Sequence, residues 1–264
     1  MQETTNLPII QSLWIGDQLS TVEQLCIASF INNNHEFHLY TYNDIKNVPN
    51  GTIIKDANEI IAEKEIFKHK KGSYAIFADW FRWELLYKRG NFWVDTDVVC
   101  LKPFIFDSDI IFGLEDMNIA GNAVMRIPEN HFLGLEMKNI CKSPNTFLPY
   151  DSLKKKRKKF LRQIFNNSRK NTGWGEAGGP YGFTQALKHF DLFDLAKPFT
   201  YFFPIHFSNW NSIYDNTLND DIDLYSNTYA VHLWNEMSRN TSGFDKNAQF
   251  PENSIFEQLK RKHL

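Results

Sequence analysis

The chain has little of what would tie it to a disulfide framework, a membrane span or a nucleic acid. Its 264 residues include 3 cysteines, Cys26, Cys100 and Cys141. They are far apart and lack the close pairs of a zinc site, and an odd, scattered set points to buried thiols in a reducing compartment. No apolar run approaches the roughly 20 residues that cross a bilayer. The opening residues are polar and do not read as a signal peptide, so the expectation is a cytoplasmic protein. Lys and Arg total 29 against 31 Asp and Glu, a net charge of -2, and no global basic field argues for nucleic acid. Internal repeats are also missing.

What the chain does have is apolar and aromatic mass, 42% and 15% of its residues. That is enough for one sizeable core, and the length suits one domain with an excursion. The apolar runs at 8–15 and 36–42 flank a helix that opens on the capping pattern Ser20-Thr21-Val22-Glu23. A strand-helix-strand opening of this kind predicts an α/β fold with a mainly parallel central sheet flanked by helices. Helices are expected over 57–70, 74–88, 128–141 and 153–165, with another ending at about His189. Further strands are expected over 92–95, 109–115, 122–127, 199–205 and 228–234.

The most informative residues are Asp95 and Asp97, which follow the apolar run Phe92-Trp93-Val94. Strand alternation sends both carboxylates to one face. Two like charges that close are costly without a positive partner, and a divalent cation carrying a diphosphate is a common solution. Just upstream, Asp79 and Arg82 share one face of a helix that Gly90 ends. A surface salt bridge would explain that pair equally well.

From Ala78 to Pro103 the sequence resembles the core of the DXD-bearing sugar-nucleotide glycosyltransferases of family 32, including the bacterial capsular and lipopolysaccharide type. Leu7 to Gly16, Glu36 to Tyr42, Gly179-Pro180 and Ala230 to Trp234 match the family's other landmarks in order. The resemblance implies a GT-A type fold in one catalytic domain over 1–264, with a basic helical excursion around 150–172 and an irregular tail over 239–264. It implies a metal-dependent retaining transferase that moves a hexose, galactose or N-acetylgalactosamine, from a UDP-sugar to a glycan acceptor in surface polysaccharide synthesis. The cofactor implied is Mn²⁺ or Mg²⁺, and the acceptor an oligosaccharide or lipid-linked glycan.

The same resemblance distributes roles. Asp95, Asp97 and His232 would hold the metal, and an imidazole among the ligands favours Mn²⁺. Trp14, Asp79, Arg82, Trp93, Asp95 and Asn235 would bind the sugar nucleotide, with Trp14 stacked on its base. Arg82 suits donor hydroxyls and the diphosphate through its planar fork. Glu176, in the Gly-rich loop 173–180, is a candidate for acceptor binding or for a basic role, and that loop would close as a lid. Glu115 and Asp116 are alternative carboxylates near the reaction centre. Where the family prefers a second glycine this chain has Asn91, which tolerates positive φ.

Two other readings compete. The run Phe92 to Val99 also resembles the first motif of haloacid-dehalogenase-like phosphatases, with Asp95 as nucleophile and Asn219-Asp220-Asp221 as a late acidic pair. A non-catalytic glycan-binding module is the other. Separately, residues 154–165, from Lys154 to Phe165, combine six consecutive basic residues with Phe160, Leu161, Ile164 and Phe165. Such a segment suits peripheral contact with the inner face of the cell membrane, unless the apolar residues are the helix's core face.

Overall fold

A computed structural model describes residues 7–217 and 226–264. Asn219, Asp220 and Asp221 lie outside the described residues. The opening unit is β1 (Ile10–Trp14), α1 (Thr21–Asn32) and β2 (Phe37–Thr41), followed by β3 (Thr52–Asp56). The helix α2 (Ala75–Arg89) leads into β4 (Phe92–Val94) and β5 (Val98–Cys100). A hairpin of β6 (Ile111–Asp116) and β7 (Ile119–Arg126) precedes α3 (Phe132–Lys142), α4 (Leu153–Phe165) and α5 (Pro180–His189). The chain ends with β8 (Ala230–His232), α6 (Asn235–Arg239) and α7 (Ile255–His263).

The main sheet has six strands in the order β3-β2-β1-β4-β7-β6, and β5 pairs with β8 in a second, two-stranded sheet. Three of the main sheet's five pairings are parallel, so the mainly parallel α/β architecture stands. Alternation along each strand feeds two cores. Ile10, Phe92, Val94 and Val124 face one layer with α1 and α7. Leu13, Trp93 and Met125 face the other, with α2, α3 and α5. The order runs outward from β1 in one direction and from β4 in the other. The β1–β4 junction is therefore a switch point, and ligands of open α/β sheets bind at the carboxyl ends of strands there.

Three sequence expectations fail for local reasons. Residues 57–70 form no α-helix but two 3₁₀ turns, Ala57–Glu59 and Glu63–Glu65. Side chains capture carbonyls a helix would need: Lys88 Nζ donates to Ile60 O (2.8 Å) and Tyr42 Oη to Ile61 O (2.9 Å). Residues 199–205 form a 3₁₀ turn, Phe199–Tyr201, because Phe202 and Phe203 both enter the core in succession instead of alternating. The tail is not irregular throughout, since α7 buries Phe256 and Leu259 beside α1. The turn before β4 survives with Gly90 and Asn91 both at positive φ (58° and 62°).

His35 joins three segments of this frame. Its Nδ1 bonds Pro8 O (2.9 Å), and its Nε2 accepts from the Phe104 N–H (2.9 Å). Only the neutral ring can do both. Burial lowers its pKa, partly opposed by the bond to Pro8. The unfolded chain thus binds the proton more readily, and stability must fall as pH drops below the unfolded value of about 6.5. Chemical denaturation between pH 7.5 and 5 should follow that loss, and His35→Phe should flatten it. The same change should cost about 1–3 kcal/mol at neutral pH by orphaning the Phe104 N–H. A pH profile identical in both proteins overturns this role.

Candidate active site

The acidic pair sits where β4 ends and β5 begins. Asp95 N–H donates to Ala123 O on β7 (2.8 Å), and Val98 N–H returns to Asp95 O (3.1 Å), which closes the turn. Asp97 is fixed from the other sheet: Leu233 N–H donates to its carbonyl (2.8 Å) and Asn235 N–H to its Oδ2 (2.7 Å). Trp234 between them takes a left-handed conformation (φ 55°, ψ 47°). That conformation is uncommon for a bulky residue, and here the buried bond from Trp234 Nε1 to Ile205 O (2.7 Å) holds it. His232, at the end of β8, brings Nε2 within 3.2 Å of Asp97 Oδ1.

Asp95, Asp97 and His232 can each offer one ligand atom within a 4.8 Å span. The His232 Nδ1 is buried and has no hydrogen-bond partner among the described residues. Two carboxylates and an imidazole this close fit a divalent cation, and the nitrogen shifts the preference from Mg²⁺ toward Mn²⁺. Burial opposes ionisation of Asp97, but the His232 charge and hydrogen bond and the Asn235 N–H hold its pKa below the ordinary value. Burial likewise disfavours the imidazolium of His232, and Asp97 outweighs it, so that pKa is raised. Asp95 is raised by burial despite Arg82.

The second half of the site grows from α2. Arg82 is 4% exposed and splits its fork between Asp79 Oδ1 (2.9 Å) and Asp95 Oδ1 (2.6 Å). It also lies over the Trp93 ring at 5.0 Å, while Trp93 Nε1 donates to Asp95 Oδ1 (2.7 Å). Asn122 on β7 donates to Asp79 Oδ1 (3.0 Å). Burial pushes Asp79 up to about 6 against the pull of Arg82. Asp79, Arg82, Asp95, Asp97, His232 and Asn235 all line one cleft of about 490 Å³. Glu115 faces the same cleft, and burial raises it to about 7.

Two expected residues fall elsewhere. Trp14 ends β1 but lines a neighbouring cavity of about 400 Å³ with Gly16, Tyr42 and Tyr74, and its Nε1 is buried without a partner among the described residues. Glu176 is turned to α4 and accepts from Arg162 Nη2 (2.7 Å), Lys158 Nζ (3.0 Å) and the Gly173 N–H (2.9 Å). Burial opposes its charge, but these partners hold it down at about 2. A carboxylate so occupied is unsuited to a basic role. The Gly-rich loop is also less free than a lid. Gly178 O accepts from Trp83 Nε1 (2.7 Å), and a Cβ at Gly178 would lie 2.2 Å from Cys141 Sγ.

Sequence reasoning missed Asn122 and the tie from α1. Buried Glu23 accepts from Asn235 Nδ2 (3.3 Å) and from Lys246 Nζ (2.8 Å), bracing the segment that holds Asp97. Its capping pattern was visible in the sequence, but nothing nearby pointed to partners so far along the chain.

An acid-imidazole cluster and an Asp-Arg-Asp bridge centred on buried Arg82 lie at the switch point of an α/β sheet and form a DXD-type site. Comparison with known proteins agrees. Residues 20–120 match the family model for the glycosyltransferase sugar-binding region containing the DXD motif. Residues 154–263 match the alpha 1,4-glycosyltransferase conserved region. Both models describe glycosyltransferase regions, and each covers less than half of the chain. It is 24% identical over 179 residues to the lactosylceramide 4-alpha-galactosyltransferases of Mus musculus and Rattus norvegicus. That match covers 63% of this chain but spans only 42% of the curated relatives' length. Among solved structures, the PaToxG glycosyltransferase is similar at 16% identity and a TM-score of 0.46, covering 69% of this chain and 70% of the other. The matched models describe glycosyltransferases and give the phosphatase reading no support, while Arg82 and Trp93 hold only the Oδ1 of Asp95.

Proposed function

We propose that the chain transfers a hexose from a UDP-sugar to a glycan hydroxyl, with retention at the anomeric carbon, in a reaction that depends on Mn²⁺ or Mg²⁺. The observation that carries this reading is the Asp95-Asp97-His232 cluster opening on the same cleft as Asp79, Arg82 and Asn122. A divalent ion held there supplies positive charge against the diphosphate leaving group. Asp79 keeps one carboxylate oxygen, Oδ2, clear of the bonds from Arg82 and Asn122, and that oxygen suits a sugar hydroxyl. Arg82 holds Asp79 and Asp95 in fixed relation, so the donor meets a preorganised pair. Trp14, Tyr42 and Tyr74 line a separate cavity, and aromatic rings of this kind suit a base. Glu115 is poised near neutrality and can accept a hydrogen bond from the attacking hydroxyl.

Galactose is the favoured hexose because the curated relatives are named as alpha-galactosyltransferases, ahead of N-acetylgalactosamine. Their names specify a glycan carried on a lipid, which supports a lipid-linked acceptor here over a free oligosaccharide. A thermal-shift screen tests the donor and the metal together. UDP and UDP-galactose should raise the melting temperature only when Mn²⁺ is present. A ligand at a hundredfold excess over its Kd stabilises by about 2.7 kcal/mol. UDP release with an acceptor should stop on adding a chelator. Equal stabilisation by UDP with and without metal, or turnover that survives the chelator, overturns the metal dependence.

A further inference from the structure

The polarity of α4 is inverted. An ordinary surface helix turns its apolar stripe to the core and its charges to water. Here two of the cations, Lys159 and Arg162, face inward. Lys159 is 2% exposed and donates to Asp151 Oδ2 (2.6 Å) and Thr146 O (2.8 Å). Arg162 and Lys158 close on Glu176, and Gln163 Nε2 donates to Asn145 O (2.7 Å). The opposite face carries Leu153, Phe160, Leu161, Ile164 and Phe165, exposed by 87%, 52%, 44%, 58% and 79%. Their spacing places them on one broad side of the helix, with Lys154 and Arg157 among them. The alternative, that these residues are the helix's core face, does not hold.

We propose that this face of α4 docks on an anionic lipid bilayer. The chemistry of the row selects that occupant. Lys154 and Arg157 stand exposed among the apolar side chains, and α4 contains no acidic residue. Pairing with a second copy would bring these cations together without a counter-charge. A bilayer supplies both halves of the match: apolar depth for the rings and branched chains, and anionic headgroups for long cationic stems that reach back to the interface. Burying Lys159 and Arg162 in ion pairs frees the helix to present its apolar side outward. Glu176 also fixes the loop whose Trp174 and Gly175 line the cleft, so the docking helix and the cleft edge move as one piece.

The inference does not depend on the transferase reading, because vesicle binding needs neither donor nor turnover. Full-length protein is sedimented with vesicles of phosphatidylcholine alone or mixed with phosphatidylglycerol. It should pellet with the mixed vesicles at low salt and much less with the neutral ones. Phe160→Glu combined with Ile164→Glu should cut the bound fraction at least about tenfold, since a charge at the interface meets the same penalty that drives insertion. Lys154→Gln with Arg157→Gln should weaken binding and reduce its salt dependence. Both pairs are exposed, and unchanged circular dichroism and melting confirm that the fold is kept. Protein that stays in the supernatant with the mixed vesicles overturns the proposal, as does a double glutamate variant that pellets like the parent. So does a parent that is dimeric in solution and made monomeric by Phe160→Glu, which would assign the face to a second copy.

Discussion

Asp97→Asn should reduce transfer by about a thousandfold or more while leaving a folded protein. The amide keeps an oxygen for the Asn235 N–H, which now donates to Asp97 Oδ2 at 2.7 Å, so the strap from β8 to α6 is retained. What disappears is the negative charge beside His232, 3.2 Å away, and with it one arm of the three-residue cluster. Charge neutralisation at a departing diphosphate supplies several kcal/mol, and each 1.36 kcal/mol is about tenfold in rate. The stability cost is smaller and has a defined sign. Burial works against the Asp97 carboxylate, but His232 and Asn235 lower its pKa, so its contribution is present above about pH 4 and lost as pH falls further. At neutral pH the variant should melt modestly earlier and show no stabilisation by UDP with Mn²⁺. A variant that turns over normally, or that still gains stability from UDP only with metal, removes Asp97 from the site.

Much of this site was legible in the sequence because local rules generate it. A short apolar strand followed by Asp-x-Asp needs no distant information to place both carboxylates at a sheet's carboxyl edge, and β4 ends at Val94 as the pattern implies. Asp79 and Arg82 are one helical turn apart, and their pairing follows from that spacing. The rest depends on contacts between distant segments. Asn122 reads as one more polar residue in a strand until β7 is set antiparallel to β4, which brings it to Asp79. Glu23 looks like a helix cap until Asn235 and Lys246 arrive from the far end of the chain. For α4 the period was visible but not the direction it faces. Asp151 and Glu176 decide that direction, and their carboxylates compete successfully with the core for the inner side of the helix. The failure over 57–70 has the same origin, since Lys88 and Tyr42 take carbonyls that local propensity would assign to a helix.

Arg82 should prove the least replaceable cation in the protein, and lysine should not substitute for it. Its two terminal nitrogens reach Asp79 and Asp95 at 2.9 and 2.6 Å, while its plane lies over Trp93. A lysine ammonium is a point charge that can satisfy one carboxylate at this geometry but cannot bridge both or stack in the same way. Arg82→Lys should therefore lower donor kcat/KM at least about tenfold, roughly 1.4 kcal/mol, with the charge conserved. Arg82→Ala goes further. It leaves two half-buried carboxylates without their cation, and the cost should fall below the about 3–5 kcal/mol typical of a fully buried pair. The pH dependence identifies the cause. Burial already raises Asp79 to about 6 even with Arg82 opposing it. Without Arg82 that pKa must climb further, and a carboxylate whose folded pKa exceeds its unfolded value of about 3.9 loses stability as pH rises between the two. Denaturant unfolding of Arg82→Ala should accordingly show a larger deficit against the parent at pH 8 than at pH 5. Adding Asp79→Asn should recover part of that deficit at pH 8, because it removes the stranded charge. A deficit that is the same at both pH values and indifferent to Asp79→Asn would mean that Arg82 acts by packing against Trp93 and not by holding the two acids.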